Sequence, residues 1–351
     1  MFGTLRAGGW AYFSALLLPS WCLLFLLTSP HPALEALLWL LPMGVPVAAD
    51  YFGLKAPQTD AQAPGLDWLP VCLAGLFVAT VWLLLMESQN WRLDSPKALA
   101  DTLANLVVVK FLFGSNAAVC SLITAHELIH RKIPPLRVLG RVLLVLCCYE
   151  HFFTEHLRGH HRRAGSLEDP ASARLGESYR EFWRRTVPAQ FQSAWRLECQ
   201  RLRLGRRFEL RWLRHRVLQG VVAEFGLLVA IGLGFGLLPL LAFVVQALMA
   251  VRNLEAINYV QHWGLTPTPW HTDAWCSTYL LLGLAHHAHH HCCPKMPYYR
   301  LKEFKDAPKL PCGYFALMFM VAYCNRSFQE AALAELRRLD PETNAKAWLR
   351  S

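Results

Sequence analysis

Residues 284–294 read LAHHAHHHCCP, and five of the six positions from His286 to His291 are histidine. Neutral imidazole is a ligand for zinc, copper, iron and nickel, so such a run inside a mostly apolar chain points to a transition metal. Three other stretches offer partners. HELIH sets His126 and His130 four residues apart, on one face of a helix. EHLRGHH carries His156, His160 and His161 towards one side of a helix, with Gly159 leaving room for close approach. NYVQHWG contributes one histidine, His262; a lone histidine is more often packed or hydrogen-bonded than metal-bound. In the fourth stretch His287, His290 and His291 follow i, i+3, i+4 spacing, and so do His286, His289 and His290. Spacing leaves both registers open. One zinc ion takes about four ligands; this many imidazoles suits two first-row ions, and composition does not name the metal. HELIH alone also fits a membrane zinc protease, with Glu127 as its base.

Histidines this far apart in sequence need elements that gather them. Six apolar stretches long enough to cross a bilayer as helices lie near residues 10–27, 34–49, 68–86, 103–124, 217–237 and 239–257. The histidine groups fall at the ends of the fourth and sixth stretches and in the polar segments that follow them. Residues 136–149 are apolar but too short to span, and read as an interfacial or re-entrant helix. Between His151 and Arg216 there are fifteen arginines and no lysine, a bias that holds a loop on the cytoplasmic side. The expectation is an all-α polytopic membrane protein forming one domain over residues 1–351. Both termini and the metal site would lie at the cytoplasmic face of the inner membrane. The first stretch is read as a membrane helix and not as a cleaved signal.

Composition agrees. Apolar residues make up 54% and charged residues 17% of the 351, against roughly 45–50% and ~25% in soluble proteins. The net charge of +10 lies between the spans, so membrane orientation explains it and nucleic acid is not an expected partner. Of eleven cysteines none forms a CxxC pair, so no zinc ribbon or rubredoxin-type cysteine pair is written here. Cys22, Cys72 and Cys120 sit in apolar runs as small hydrophobes, and Cys292 and Cys293 are read as packing. A metal transporter would want polar residues through its spans, and these offer few.

In this order and between these spans, the four histidine stretches resemble the membrane alkane 1-monooxygenases, within the histidine-box superfamily of desaturases and hydroxylases. The likeness covers nearly the whole chain. It is carried by HFFTEHLRGHH with EDPASARLGE after it, by INYVQHWGL, and by HAHHHCCPKMPYYRL with its trailing LPCGY. The resemblance implies a non-haem di-iron centre held by His126, His130, His156, His160, His161, His262, His287, His290 and His291. It implies O2-dependent hydroxylation of an unactivated C–H bond, foremost the terminal methyl of an alkane or alkyl chain to a primary alcohol. Electrons would come from a separate rubredoxin or ferredoxin with its NAD(P)H-dependent reductase, docking on the arginine-rich face. A methyl hydroxylase of alkyl-aromatic compounds and a fatty-acid desaturase are alternatives within the superfamily.

Leu157 stands where that family usually has Asn, Gln261 where it has Glu and His289 where it has Asp. These departures bear on substrate and on tuning of the metal. In the favoured register His289 is expected to accept an N–H from a ligand imidazole. Glu127, Glu155 and Glu255 are expected to do the same. His31, at an outward turn, and His151, His215 and His271, solvated or structural, are expected outside the site.

Overall fold

The computed structural model describes residues 7–56, 63–205 and 209–339, and the described residues are helical, with no β-strand among them. Among the described residues six helices are long and apolar enough to cross a membrane: Gly9–Leu27, Ala33–Tyr51, Leu69–Ser88, Pro96–His130, Arg216–Gly234 and Leu237–Gln261. They match the six predicted stretches, with one substantial difference. The fourth span starts at Pro96 and runs through His130, 35 residues in all. Its flanks, SPKALAD and HELIH, are too polar to register as membrane-spanning, yet both continue the same helix. Ser95 caps it by accepting from the Ala98 N–H, and Pro96 occupies the first turn. At 1.5 Å per residue it reaches about 50 Å, well beyond a hydrocarbon layer of about 30 Å. Its last turn therefore carries His126 and His130 towards the polar boundary.

Burial separates central spans from peripheral ones. In the fourth span 72% of the apolar window is buried, against 11% in the second and 17% in the fifth. The fourth span packs along the sixth and against the third. Gly114 is the point of closest approach, since a Cβ there would stand 2.6 Å from Met249 Cβ. Small residues let backbones meet in this way within a bilayer. Asn116 adds a hydrogen bond to Thr80 Oγ1 at 3.2 Å, tying the fourth span to the third. Two wide π-type segments, Val109–Phe113 and Ala118–Ile123, interrupt the fourth span.

Residues 136–149 do not cross. Pro134–Val145 is an amphipathic helix that folds back on the end of the fourth span. Its Gly140 lies where a Cβ would stand 2.8 Å from Ile129 Cγ2, and Val138 and Val142 stay exposed. The arginine-rich segment forms the long helix Tyr179–Leu202, begun by a capping box between Ser178 and Glu181. After the sixth span the chain passes beneath the histidines as short helices and loops. Asp50, at the end of the second span, holds this region by accepting from Ser277 Oγ at 2.7 Å and the Phe315 N–H at 3.0 Å.

Candidate metal centre

The nine expected histidines come together in two groups. His126, His130, His156, His161 and His290 form the first; His160, His262, His287 and His291 form the second. In each group the nitrogen atoms offered to a metal lie within 4.8 Å of one another. Within the first, Nε2 of His156 stands 3.0 Å from Nε2 of both His130 and His161, and His130 and His161 are 3.2 Å apart. Within the second, His287 Nε2 is 3.0 Å from His262 Nε2 and from His291 Nε2, and His160 Nε2 is 3.2 Å from His291 Nε2.

Two imidazole nitrogens held at right angles about 2.1 Å from one ion stand about 3.0 Å apart. Three ring nitrogens mutually within 3.2 Å, as in His130, His156 and His161, cannot all be joined by N–H···N bonds, and a cation among them satisfies every lone pair. His126 Nε2 is buried beside this group with no hydrogen-bond partner among the described residues, as suits a ligand atom. The donor set, all imidazole and no thiolate, suits iron among other first-row metals. The nine residues fit two metal ions.

The helical register explains the partition. His126 and His130, four residues apart at the end of the fourth span, enter the same group. His156 and His161 are five apart and would diverge by about 140° on a regular α-helix. Residues Glu155–His160 instead form a π turn, and the His161 N–H donates back to the His156 carbonyl. This widening brings residue i+5 over residue i, so His156 and His161 share one group while His160 turns to the other. The expectation of three imidazoles on one side is thereby corrected: the second stretch serves both groups. The fourth stretch also divides, with His287 and His291 on one side and His290 on the other. Gly283, at φ +67°, turns the chain into it, where a Cβ would stand 2.5 Å from the Tyr298 carbonyl oxygen.

The register left open by spacing is distinguished by position. Among the described residues, His286 and His289 belong to neither group. His289 Nδ1 accepts from the Lys302 backbone N–H at 2.8 Å, so it anchors the following loop and does not hold a ligand imidazole. Cys292 and Cys293 also stand outside both groups.

The three expected glutamates turn elsewhere. Glu127 pairs with Arg131 at 2.6 Å, an engagement ill suited to the free base of a zinc protease. Glu155 pairs with Arg163 at 2.7 Å. Glu255 accepts from Tyr149, Gln190 and Asn258. The carboxylate that does meet a ligand imidazole is Asp169, 2.9 Å from His160 Nδ1 and also accepting from Ser172 Oγ at 2.6 Å. Its signal was present in EDPASAR, directly after the second histidine stretch, but no spacing rule ties that loop to His160.

Burial pulls the His160 imidazole down, and Asp169 more than offsets it, leaving its pKa above the ordinary value. Burial alone would raise the Asp169 carboxyl, but His160 and the hydrogen bonds bring it to about 2. For His156, His287, His290 and His291 burial, reinforced by neighbouring imidazoles, holds each well below its usual value, and for His262 burial and His160 outweigh the pull of Asp169. A lowered pKa favours neutral imidazole, the form that binds a metal. His31, His151, His215 and His271 lie outside the site and are buried, not solvated. His215 caps a helix by accepting from the Leu218 N–H, and His271 faces Glu303 at 3.3 Å.

Between the two groups and the membrane lies a narrow cavity of about 10 Å³. His126, His156 and His287 line one wall, and Ile123, Phe152, Leu254, Ile257 and Leu284 the rest, with Asn258 and Gln261 the polar exceptions. Gln261 Nε2 donates to Tyr314 Oη at 2.8 Å.

The fatty acid desaturase family matches residues 101–319, which include every one of these histidines. Alkane 1-monooxygenase 1 of Pseudomonas aeruginosa is 34% identical over 221 residues, covering 59% of this chain and 58% of that protein. Alkane 1-monooxygenase of Acinetobacter baylyi is 36% identical over 213 residues, 56% of this chain and 51% of the relative. These two matches thus span little more than half the length of either relative. A longer match is alkane 1-monooxygenase 2 of Pseudomonas aeruginosa, 30% identical over 290 residues, 77% of this chain and 73% of that protein. Six apolar spans, two polyhistidine groups and these matches together place the chain: it belongs to the fatty acid desaturase family, grouped there with the alkane 1-monooxygenases.

Proposed function

We propose that the chain hydroxylates the terminal methyl of an alkane or alkyl chain at two irons held by the nine histidines. The overall balance is R–CH3 + O2 + 2 e− + 2 H+ → R–CH2OH + H2O. When bound, the irons supply the activation of O2 and the removal of hydrogen from carbon. The observation that carries the proposal is the cavity whose wall combines imidazoles of both groups, His126, His156 and His287, with an otherwise apolar lining. Ile123, Leu254 and Ile257 come from the fourth and sixth spans, so a hydrocarbon dissolved in the bilayer reaches the site without crossing water. The same side chains keep bulk water from the reacting carbon.

The donor is a separate acidic protein of the rubredoxin or ferredoxin type, served by an NAD(P)H-dependent reductase and drawn to the arginine-rich region. That region and the site lie on the cytoplasmic side of the inner membrane, in keeping with the positive-inside bias. Metal analysis and product analysis of the purified chain, supplied with such a donor, test the proposal. About two irons per chain and a primary alcohol from a linear alkane are expected. One zinc per chain, or no O2 uptake, would overturn it. The family match also admits a desaturase, for which an alkene would replace the alcohol.

A further inference from the structure

The middle of the interfacial helix, the start of the fifth span and the helix carrying the second histidine stretch meet around one ring. The guanidinium carbons of Arg137, Arg141 and Arg216 lie 5.7, 5.2 and 5.6 Å from the Phe153 ring centre. All three arginines are half-buried. Glu198 accepts from the Arg216 backbone N–H at 3.0 Å and its charge reaches that arginine, while Arg141 pairs with Glu150 at 2.5 Å. Burial weakens that counter-ion by raising its carboxyl to about 7, against the pull of Arg141. Among the described residues, neither the Arg137 nor the Arg216 guanidinium has an ion-pair partner. Orienting a membrane protein requires only positive charge near the boundary; it does not require three guanidinium groups to converge on one ring. Contact with the ring face offsets part of the repulsion among them, and a bound anion would offset more.

The surroundings indicate which anion. Val138 and Val142 follow Arg137 and Arg141 along the interfacial helix and are 60% and 47% exposed. Val222 and Phe225, along the fifth span from Arg216, are 63% and 69% exposed. The two helices are in contact. The basic cluster thus sits at the depth where the fifth span begins, with exposed apolar side chains running from it into the bilayer.

We propose that Arg137, Arg141 and Arg216 form a binding site for the phosphate of an anionic phospholipid, whose acyl chains lie along Val138, Val142, Val222 and Phe225. Arginine matches phosphate through paired N–H donors, and the apolar strip favours a lipid over a free anion. Phe153 stands three residues before His156, so a bound headgroup braces the helix that serves both histidine groups.

The test uses the full chain in nanodiscs of equal phosphatidylcholine and phosphatidylglycerol with matched acyl chains, followed by native mass spectrometry of the lipid that stays bound. The wild-type chain is expected to retain phosphatidylglycerol in preference. Retention should fall about fivefold for each arginine removed in Arg137→Gln/Arg216→Gln. The pair Arg180→Gln/Arg184→Gln, which removes the same charge from exposed positions elsewhere, should retain it as the wild type does. The wild-type comparison of the two lipids stands even where a variant misfolds. Equal retention of both lipids by the wild type overturns the proposal, as does undiminished retention by a folded Arg137→Gln/Arg216→Gln chain. Displacement of the lipid by inorganic phosphate at matched concentration would show a free-anion site and overturn it too.

Discussion

His289 and His291 stand two residues apart in the same short helix and have different tasks. His291 offers Nε2 to the second histidine group, whereas His289 turns away to accept from Lys302. His291→Ala is therefore expected to strip metal from the four-histidine group and abolish turnover, with metal content falling to what the first group retains. His289→Asp keeps a hydrogen-bond acceptor and should keep both metals. His289→Ala should cost stability of about 1 kcal/mol, the usual worth of one hydrogen bond, and leave metal content unchanged. Metal analysis beside thermal unfolding separates these outcomes; a metal-depleted His289→Asp chain would mean that the register is one step out. Asp169 acts through His160, holding the ring by Nδ1 so that Nε2 faces the group. Asp169→Asn should lower metal affinity roughly 10- to 100-fold, read by competition with a chelator. Unaltered affinity would assign Asp169 to loop packing alone.

The elements that matter most are those that depart from regular helix. The π turn at Glu155–His160 sends one histidine stretch to two groups, and Gly283 turns the chain so that the last stretch divides as well. Neither group can thus assemble without both of these segments. The spans beneath them are pinned where Gly114 meets Met249. Gly114→Val would overpack this crossing and should destabilise the protein by about 1–3 kcal/mol, measured as thermal unfolding in detergent. Combining it with Met249→Gly, which removes the Cβ that the new side chain meets, should recover part of that loss, because the two side chains share one space. Additive losses in the double variant would place the cost of Gly114→Val elsewhere, in the helix backbone itself.

Across the whole molecule, charge is less available than the arginine count suggests. Arg158 and Arg201 are tied to Glu198, Arg163 to Glu155 and Arg185 to Glu177. Arg162, Arg174, Arg180 and Arg184 are exposed and have no ion-pair partner among the described residues. These are the groups an acidic electron donor would meet first. The KM for such a donor is expected to rise as salt increases from low ionic strength to 0.15 M, where the Debye length shortens to about 8 Å. The maximal rate at saturating donor should change little. A donor KM that holds constant over that range would count against docking on this face.

Much of this was legible in the sequence for physical reasons. Hydrocarbon admits only helices whose backbone is satisfied internally, so six apolar runs specified six spans. Imidazoles at i, i+4 spacing offered pairs able to face one metal, but left the fourth stretch in two registers and His262 a lone residue. The sequence by itself therefore determined the helical class, the number of spans and the four histidine stretches; the set of nine that gathers at one place came from the resemblance to the alkane 1-monooxygenases. What it could not determine depended on geometry beyond α periodicity or on contacts distant in the chain. Which histidine serves which group follows from a π turn, which leaves no mark in hydropathy. The Asp169 contact with His160, and the diversion of Glu127 and Glu155 to arginines, follow from loop packing and ion pairing. Only the tertiary structure decided these, because a side chain's nearest partner is set by the folded backbone and not by its neighbours in sequence.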